Sequence, residues 1–140
     1  MSVFFKITKN SRHREILRQY TGKTREIIGR AGNLVRNTAV TSIQQGAKSG
    51  VVYEKYNPRR THRASAAGQP PATDTGFLVN NIVLKIDGDK LGAGVESRAD
   101  YSAFLEFGTS KMAARPFMQP ALESNKRKIR QLAKSIIKAR

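Results

Sequence analysis

Residues 101–122 read YSAFLEFGTSKMAARPFMQPAL, and this stretch is expected to form a packed corner that joins a sheet to the last helix. The apolar residues that can cover one side of a short helix or bent strand are Tyr101, Phe104, Leu105 and Phe107. Gly108 can adopt a positive φ and is therefore expected to end that element. Pro120 suits the first position of a helix, which predicts that the C-terminal helix begins there.

Glu106 lies inside the apolar part of this corner, so a buried carboxylate is expected to need a partner. Arg115 is the nearest cation whose guanidinium can bind a carboxylate through two hydrogen bonds. The sequence therefore predicts an ion pair between Glu106 and Arg115. Phe117 is predicted to anchor the corner as a packed side chain.

Helical and extended patterns surround the corner. Apolar residues at helical spacing predict a long N-terminal helix that ends at Gly46, with a possible interruption at Gly22. Apolar residues alternate at period two on both sides of Asp87-Gly88-Asp89, which predicts a β-hairpin. We therefore expect one α+β domain over residues 1–140, with a long N-terminal helix, a small antiparallel sheet containing a hairpin, and a C-terminal helix.

The segment 51–76 has a different composition. VVYEKY at its start could form a short strand, and the rest is rich in Pro, Gly, Ala, Ser and Thr, which is typical of a loop. A loop of about 20 residues is long for a compact domain, and such loops are often functional or mobile. We expect 51–76 to be a long mobile loop, with 57–72 mobile in the free subunit and ordered on assembly.

The net charge of +16 favours an anionic partner such as DNA. The charge is concentrated at the two ends, with +8 over residues 1–49 and +7 over residues 114–140. Helical periodicity places one basic stripe on each terminal helix. Each stripe could contact DNA phosphates, bind a neighbouring protein or remain a solvated surface. The stripe residues are Arg14, Arg18, Arg25 and Arg36 on the first helix, and Arg127, Arg130, Lys134 and Lys138 on the last.

Nothing in the sequence indicates an enzyme, a cofactor or a metal. Gly22-Lys23-Thr24 resembles the end of a phosphate-binding loop, but Leu17 stands where that motif requires its first glycine. His13 and His62 are far apart, and the chain has no cysteine, so a metal site is not expected. No apolar run approaches the roughly 20 residues that span a bilayer, so no membrane contact is expected.

The corner and the segment before the hairpin together resemble a minor tail protein family of long-tailed bacteriophages. That family typically carries Tyr-Ala-x-x-x-Glu-Phe-Gly-Thr followed by Arg-Pro-Phe-x-x-Pro-Ala, and upstream Gly-x-Pro-Pro-Ala and Asp-Thr-Gly-x-Leu. The resemblance covers residues 64–122, with Ser102 where the family commonly has alanine. The matching residues are Gly68, Pro70, Pro71, Ala72, Asp74, Thr75, Gly76, Leu78, Tyr101, Glu106, Phe107, Gly108, Thr109, Arg115, Pro116, Phe117, Pro120 and Ala121.

The resemblance implies a structural protein of the virion that completes the tail at the head–tail junction. Such proteins are expected to be homo-oligomers, usually hexameric rings, that are assembled in the host cytoplasm and surround the channel through which DNA leaves. The tail terminator and the head connector would be their partners. Residues expected at the subunit or partner interface are Tyr101, Phe104, Glu106, Phe107, Arg115 and Phe117.

Two other interpretations remain open on sequence alone. A tail terminator or a head-closure (stopper) ring would also be a small α+β ring subunit. A free nucleic-acid-binding protein would explain the charge, but that class is expected to show a helix-turn-helix or a sheet that carries aromatic residues.

Overall fold

The structure, a computed structural model, describes residues 1–6, 21–87 and 92–138. It is an α+β fold with a long N-terminal helix, small antiparallel sheets and a C-terminal helix, as the sequence predicts. Arg14, Arg18 and the hairpin turn at 88–91 lie outside the described residues. The elements in chain order are β1 (Ser2–Lys6), α1 (Thr21–Gln45), β2 (Val52–Tyr56), β3 (Arg59–Arg63), α2 (Phe77–Asn80), β4 (Ile82–Asp87), β5 (Gly92–Ser97), α3 (Ser102–Phe107) and α4 (Met118–Lys138).

Helix α1 is amphipathic, and its buried face supplies much of the core. Ile28, Val35 and Ile43 lie along that face and are almost fully buried. Gly22 does not interrupt the helix, since α1 runs from Thr21 through to Gln45. Gly46 follows its last residue, and the Gly46 N–H donates to the carbonyl of Ser42 at 2.9 Å. The predicted helix and its end are therefore confirmed over the described residues.

The main sheet has three antiparallel strands in the order β1-β5-β4. The predicted hairpin forms its β4 and β5 strands, with Leu84 opposite Val95. The sequence did not predict the third strand, β1, which pairs with β5 so that Val3 lies opposite Val95. This strand removes one free edge from the hairpin and places the N-terminal residues beside the core.

One face of the sheet packs closely against α1. Gly32 makes this possible, because a Cβ built there would lie 2.3 Å from Leu84 Cδ1. Arg36 also joins the two layers, since its Nε donates to the carbonyl of Ile82 at 2.8 Å. The core continues through Phe117 and Met118 into α4, which packs beside α1. Asn125 of α4 is buried and donates to the hydroxyl of Thr38 on α1 at 2.8 Å.

Within the segment 51–76, the loop prediction is wrong at Arg59–Arg63, while the short strand that VVYEKY could form is found at Val52–Tyr56. Arg59–Arg63 form strand β3, which pairs with β2 in a separate two-stranded sheet. Paired backbone groups outweigh a composition that favours loops, because Tyr, Val and Thr on the two strands suit extended backbone. Residues 64–76 are irregular, but Gln69 Oε1 accepts from the N–H groups of Ser49 and Ala66. The mobility of this segment stays a prediction.

Candidate functional site

The predicted corner forms around α3. The helix ends at Gly108, which has φ of 76° and whose N–H donates to the carbonyl of Phe104. A side chain at Gly108 would be strained at that φ and would also meet the Met112 carbonyl oxygen, 2.8 Å from an added Cβ. The chain then returns, and the Arg115 N–H donates to the carbonyl of Leu105 at 2.6 Å. This turn brings the residues before α4 back against α3.

Glu106 caps the N-terminus of α4. Its side chain is 4% exposed, and its carboxylate oxygens accept hydrogen bonds from three consecutive backbone N–H groups, those of Phe117, Met118 and Gln119, at 2.9, 3.1 and 2.8 Å. The first N–H groups of a helix have no partner within it, and the helix dipole favours negative charge there. Pro120 comes next and has no N–H to satisfy.

Two sequence predictions at the corner are therefore corrected. Among the described residues, no salt bridge joins Glu106 to Arg115, because the carboxylate is occupied by backbone donors. Helix α4 begins at Met118 and not at Pro120, because the cap satisfies the N–H groups of the two residues before the proline. The prediction that Glu106 is buried and needs a partner is confirmed.

Phe117 packs inside the chain. It is 1% exposed and lies in the core cluster with Val35, Ile82 and Met118. Its predicted packing in the corner is confirmed, whereas its contribution to stability and its expected place at an interface stay predictions. The expected place of Glu106 at an interface also stays a prediction, and both side chains are buried within this fold.

The remaining aromatic residues of the corner lie on the surface. Phe104 is 57% and Phe107 71% exposed, and Tyr101 is also exposed. Phe77 of α2 joins them, with its ring centroid 6.2 Å from that of Tyr101. We call Phe77, Tyr101, Phe104 and Phe107 the aromatic surface. Phe77 was not among the predicted interface residues, although it directly follows the Asp74-Thr75-Gly76 segment.

A cavity of about 250 Å³ lies beside the aromatic surface. Its walls come from the end of β3, the irregular segment 71–76, α2, α3 and Arg115. Apolar atoms of Leu78 and Leu105 contribute to these walls, and burial raises the pKa of the Tyr101 hydroxyl. The cavity therefore has walls of mixed polarity, and its charged side chains include the Asp74 carboxylate and the Arg115 guanidinium.

Arg115 has no carboxylate partner among the described residues. Its Nε is buried without a hydrogen-bond partner, and its Nη1 is 3.8 Å from the sulfur of Met112. A partly buried guanidinium usually binds an acidic group through paired hydrogen bonds. Among the described residues, the Arg115 guanidinium at the cavity therefore forms no salt bridge.

The β2–β3 hairpin is attached to the irregular segment through Asp74. Lys55, Arg60 and His62 all approach this carboxylate, with Arg60 Nη2 at 2.9 Å and His62 Nδ1 at 3.9 Å. The hydrogen bond from Lys55, followed by the charges of Arg60, Lys55 and His62, holds the pKa of Asp74 below its ordinary value of 3.8 despite the opposing effect of desolvation. One acidic residue therefore positions the hairpin beside the cavity.

The two basic stripes differ in the structure. Arg127, Arg130, Lys134 and Lys138 are all exposed on α4, and among the described residues none of them has an acidic partner. We call these four the basic face of α4. On α1, Arg25 is exposed, but Arg36 is partly buried and hydrogen-bonded to β4, so its guanidinium contributes to packing.

The described residues form a small α+β fold with an exposed aromatic surface and a basic helix. No grouping of His, Cys, Asp or Glu in the described part of the chain could hold a metal ion. Over the same residues, no helix is long and apolar enough to cross a lipid bilayer.

A family model described as "Bacteriophage HK97-gp10, putative tail-component" matches residues 14–108. The match spans more than half of the 140 residues, and the chain belongs to this HK97-gp10-like family of phage tail components. It is therefore a structural tail protein of the virion. The match includes all of α1, which lies outside the resemblance at 64–122, and stops before Arg115. No curated protein and no solved structure is significantly similar to the chain.

Proposed function

We propose that this chain is a tail-completion subunit that forms a ring around the DNA channel at the head–tail junction. The observation that carries the proposal is the aromatic surface on a chain of a tail-component family. Protein interfaces are rich in aromatic residues and poor in lysine and glutamate, and contiguous exposed apolar patches commonly mark them. A hexameric ring between the tail terminator and the head connector would cover this surface in every subunit.

The basic face of α4 gives the ring a second surface. Its four cations are exposed and have no acidic partners among the described residues, so they are available to phosphates. Contacts between cations and phosphates are independent of base sequence and therefore permit DNA to slide. The face is proposed to line the channel.

Electron microscopy of the whole particle tests this proposal. A reconstruction of the neck should contain density for α1, the three-stranded sheet and α4 in a ring of identical subunits around the axis. A ring that lies one layer away would identify a terminator or a stopper. Particles in which the chain is absent from the neck would overturn the proposal.

A free nucleic-acid-binding protein is the second candidate, and the basic face of α4 favours it. The purified full-length chain separates the two functions when its mass is measured with and without nuclease. Oligomers that keep their mass after nuclease treatment support the ring. Monomers that carry nucleic acid before treatment and lose it afterwards support the second candidate.

A further inference from the structure

We propose that the outer face of the β2–β3 hairpin of one copy docks into the Arg115 cavity of a second copy. Glu54 of the hairpin would enter the cavity and pair with the Arg115 guanidinium. The inference rests on the proposed function insofar as it requires several copies of the chain in one particle. It adds to that function a specific contact, a direction of assembly and the residues that determine both.

The outer face of the hairpin is open to solvent. Strand pairing places Val52, Glu54 and Tyr56 opposite Arg63, Thr61 and Arg59, so all six side chains point to the same side. All six are exposed, and Tyr56 is 75% exposed. The opposite side carries Lys55, Arg60 and His62, which bind Asp74. A two-stranded hairpin is at best marginally stable in water, so an uncovered face favours a partner layer.

The charges of the two surfaces are complementary. Glu54 and Asp100 are exposed acidic residues with no cation within salt-bridge distance among the described residues. Arg115 is a partly buried cation with no acidic partner in the same part of the chain, and its Nε has no hydrogen-bond acceptor. Asp74 also lines the cavity, but its carboxylate is paired with Lys55 and Arg60 of its own copy. On the cavity side, Asp100 precedes Tyr101, which lines the cavity. On the hairpin side, Arg59 and Arg63 flank Glu54. One docking can therefore pair Glu54 with Arg115 and a hairpin arginine with Asp100.

The apolar parts of the two surfaces also correspond. Val52 and Tyr56 stand on either side of Glu54 on the outer face, and both are exposed. Leu78, Leu105 and Tyr101 line the cavity around Arg115, and Phe77 stands at its edge. The cavity volume of about 250 Å³ has room for one acidic side chain with an aliphatic neighbour. A DNA phosphate would match Arg115 but would leave the apolar side chains of Leu78 and Leu105 uncovered.

The contact joins two different surfaces, so it is heterologous. Each copy offers one hairpin and one cavity, and successive copies repeat the same rotation until a ring closes. The aromatic surface beside the cavity would then be covered by the neighbour. In this arrangement Asp74 is a positioning residue, because it fixes the hairpin relative to the cavity of its own copy.

Cysteine cross-linking in assembled particles tests the contact, and the chain has no cysteine of its own. The test variant carries Tyr56→Cys on the outer face and Phe77→Cys at the edge of the cavity. A matched control carries Phe77→Cys with Thr41→Cys, another exposed position, on α1. A short bis-maleimide linker should convert the test variant into a ladder of multimers on a denaturing gel. The control should stay at least about tenfold less cross-linked.

Charge reversal then identifies the pair. Glu54→Lys should reduce the ladder about tenfold, and adding Arg115→Glu should restore it at least in part. Glu26→Lys is the matched control, since Glu26 is an exposed glutamate that pairs with Arg30 on α1. If Arg115→Glu does not fold, the amounts of cross-linked multimer formed by the cysteine variant with and without Glu54→Lys still show whether Glu54 contributes to the contact.

The possible failures are distinguishable. If an amine-reactive cross-linker gives multimers but the cysteine pair gives none, the hairpin contact is wrong and the ring stands. If the cysteine pair joins the chain only to a different virion protein, the second copy is the wrong occupant. If particles contain no multimers by either chemistry, the proposed ring and the contact fail together.

Discussion

At the scale of single residues, the carboxylate of Glu106 connects two helices. It lies in α3 and accepts hydrogen bonds from the first N–H groups of α4, which begins eleven residues after α3 ends. Such bonds to a charged acceptor contribute more than neutral ones, and the removal of one partner leaves buried donors unsatisfied. The corner is therefore expected to depend on this side chain more than on any surface charge.

Glu106→Gln should lower the free energy of unfolding by about 1–3 kcal/mol, since the amide keeps one oxygen but loses the charge and one acceptor. Urea unfolding followed by circular dichroism measures the change. Glu123→Gln is the control, because Glu123 forms an exposed salt bridge with Lys126 and should cost about 0.5 kcal/mol or less. Equal losses in the two variants would show that the cap does not stabilise the corner.

Two phenylalanines of the corner should behave in opposite ways. Phe117→Ala removes a ring that is 1% exposed and should cost about 3–5 kcal/mol of stability. Phe107→Ala removes a ring that is 71% exposed and should change stability by about 0.5 kcal/mol or less. Thermal unfolding measures both. If Phe107 belongs to an interface, its variant should melt like the parent but enter particles poorly, whereas normal incorporation would exclude it from the interface.

At the scale of elements, the β2–β3 hairpin should respond to acid. The pKa of Asp74 is lowered in the folded chain, above all by the hydrogen bond from Lys55. Its ion pairs therefore contribute stability that is fully present above the ordinary value of 3.8 and is lost as the pH falls through the lowered value. The hairpin is expected to loosen from segment 71–76 below about pH 4.

Nuclear magnetic resonance of Tyr53 and Tyr56 from about pH 6 to about pH 2.5 measures this loosening, since that range spans the ordinary pKa of an aspartate. The Asp74→Asn variant should show a loosened hairpin at neutral pH and little further change on acidification. Glu96→Gln is a suitable control, because Glu96 also has a lowered pKa, through Lys85, but lies in the other sheet. A transition that survives in Asp74→Asn would assign the effect to a different group.

Elements with strong periodicity could be predicted from the sequence, and those that depend on distant partners could not. The apolar stripe of α1, the alternation in β4 and β5 and the positive-φ glycine at 108 are local signals. Strand β1 has only five residues and exists because β5 lies beside it. Strand β3 reads RRTHR, which becomes a strand by pairing with β2.

The candidate site was predictable to the same degree. Composition alone identified 101–122 as the special segment, and it indicated that a buried glutamate there needs a partner. The sequence could not show that the partner is the backbone of the next helix. Every residue except proline has a backbone N–H group, so residue types do not reveal which of these groups donate to Glu106. For the same reason Arg115 was assigned to Glu106 when in the structure it faces a cavity instead.

At the scale of the whole molecule, the net positive charge should favour DNA binding through the basic face of α4. Replacing Arg127, Arg130, Lys134 and Lys138 by glutamine should leave the fold intact, since all four are exposed. The affinity of the full-length chain for a labelled DNA duplex should fall, and the slope of log affinity against log salt should weaken by about 0.9 for each phosphate that the variant no longer binds. Fluorescence anisotropy across a range of salt concentrations measures both.

Particles that carry the same glutamine variant decide what the basic face does in assembly. If it lines the channel, heads and tails should still join, and DNA retention or delivery should weaken. If tails no longer join heads, the face docks to an acidic protein surface and the channel assignment is wrong. Replacing Arg98 and Lys111 by glutamine is the control, since both are exposed cations that belong to neither predicted basic stripe.

The hydrogen bond from the Gly68 N–H to the carbonyl of Ala114 has a consequence for exchanging parts between related tail proteins. It ties the irregular segment to the corner, and the same two stretches share the walls of the Arg115 cavity. A chimera that takes 64–78 from one parent and 101–117 from another would join surfaces that were never fitted to each other. Segments 64–78 and 101–117 therefore depend on each other, and a functional chimera must take both from the same parent.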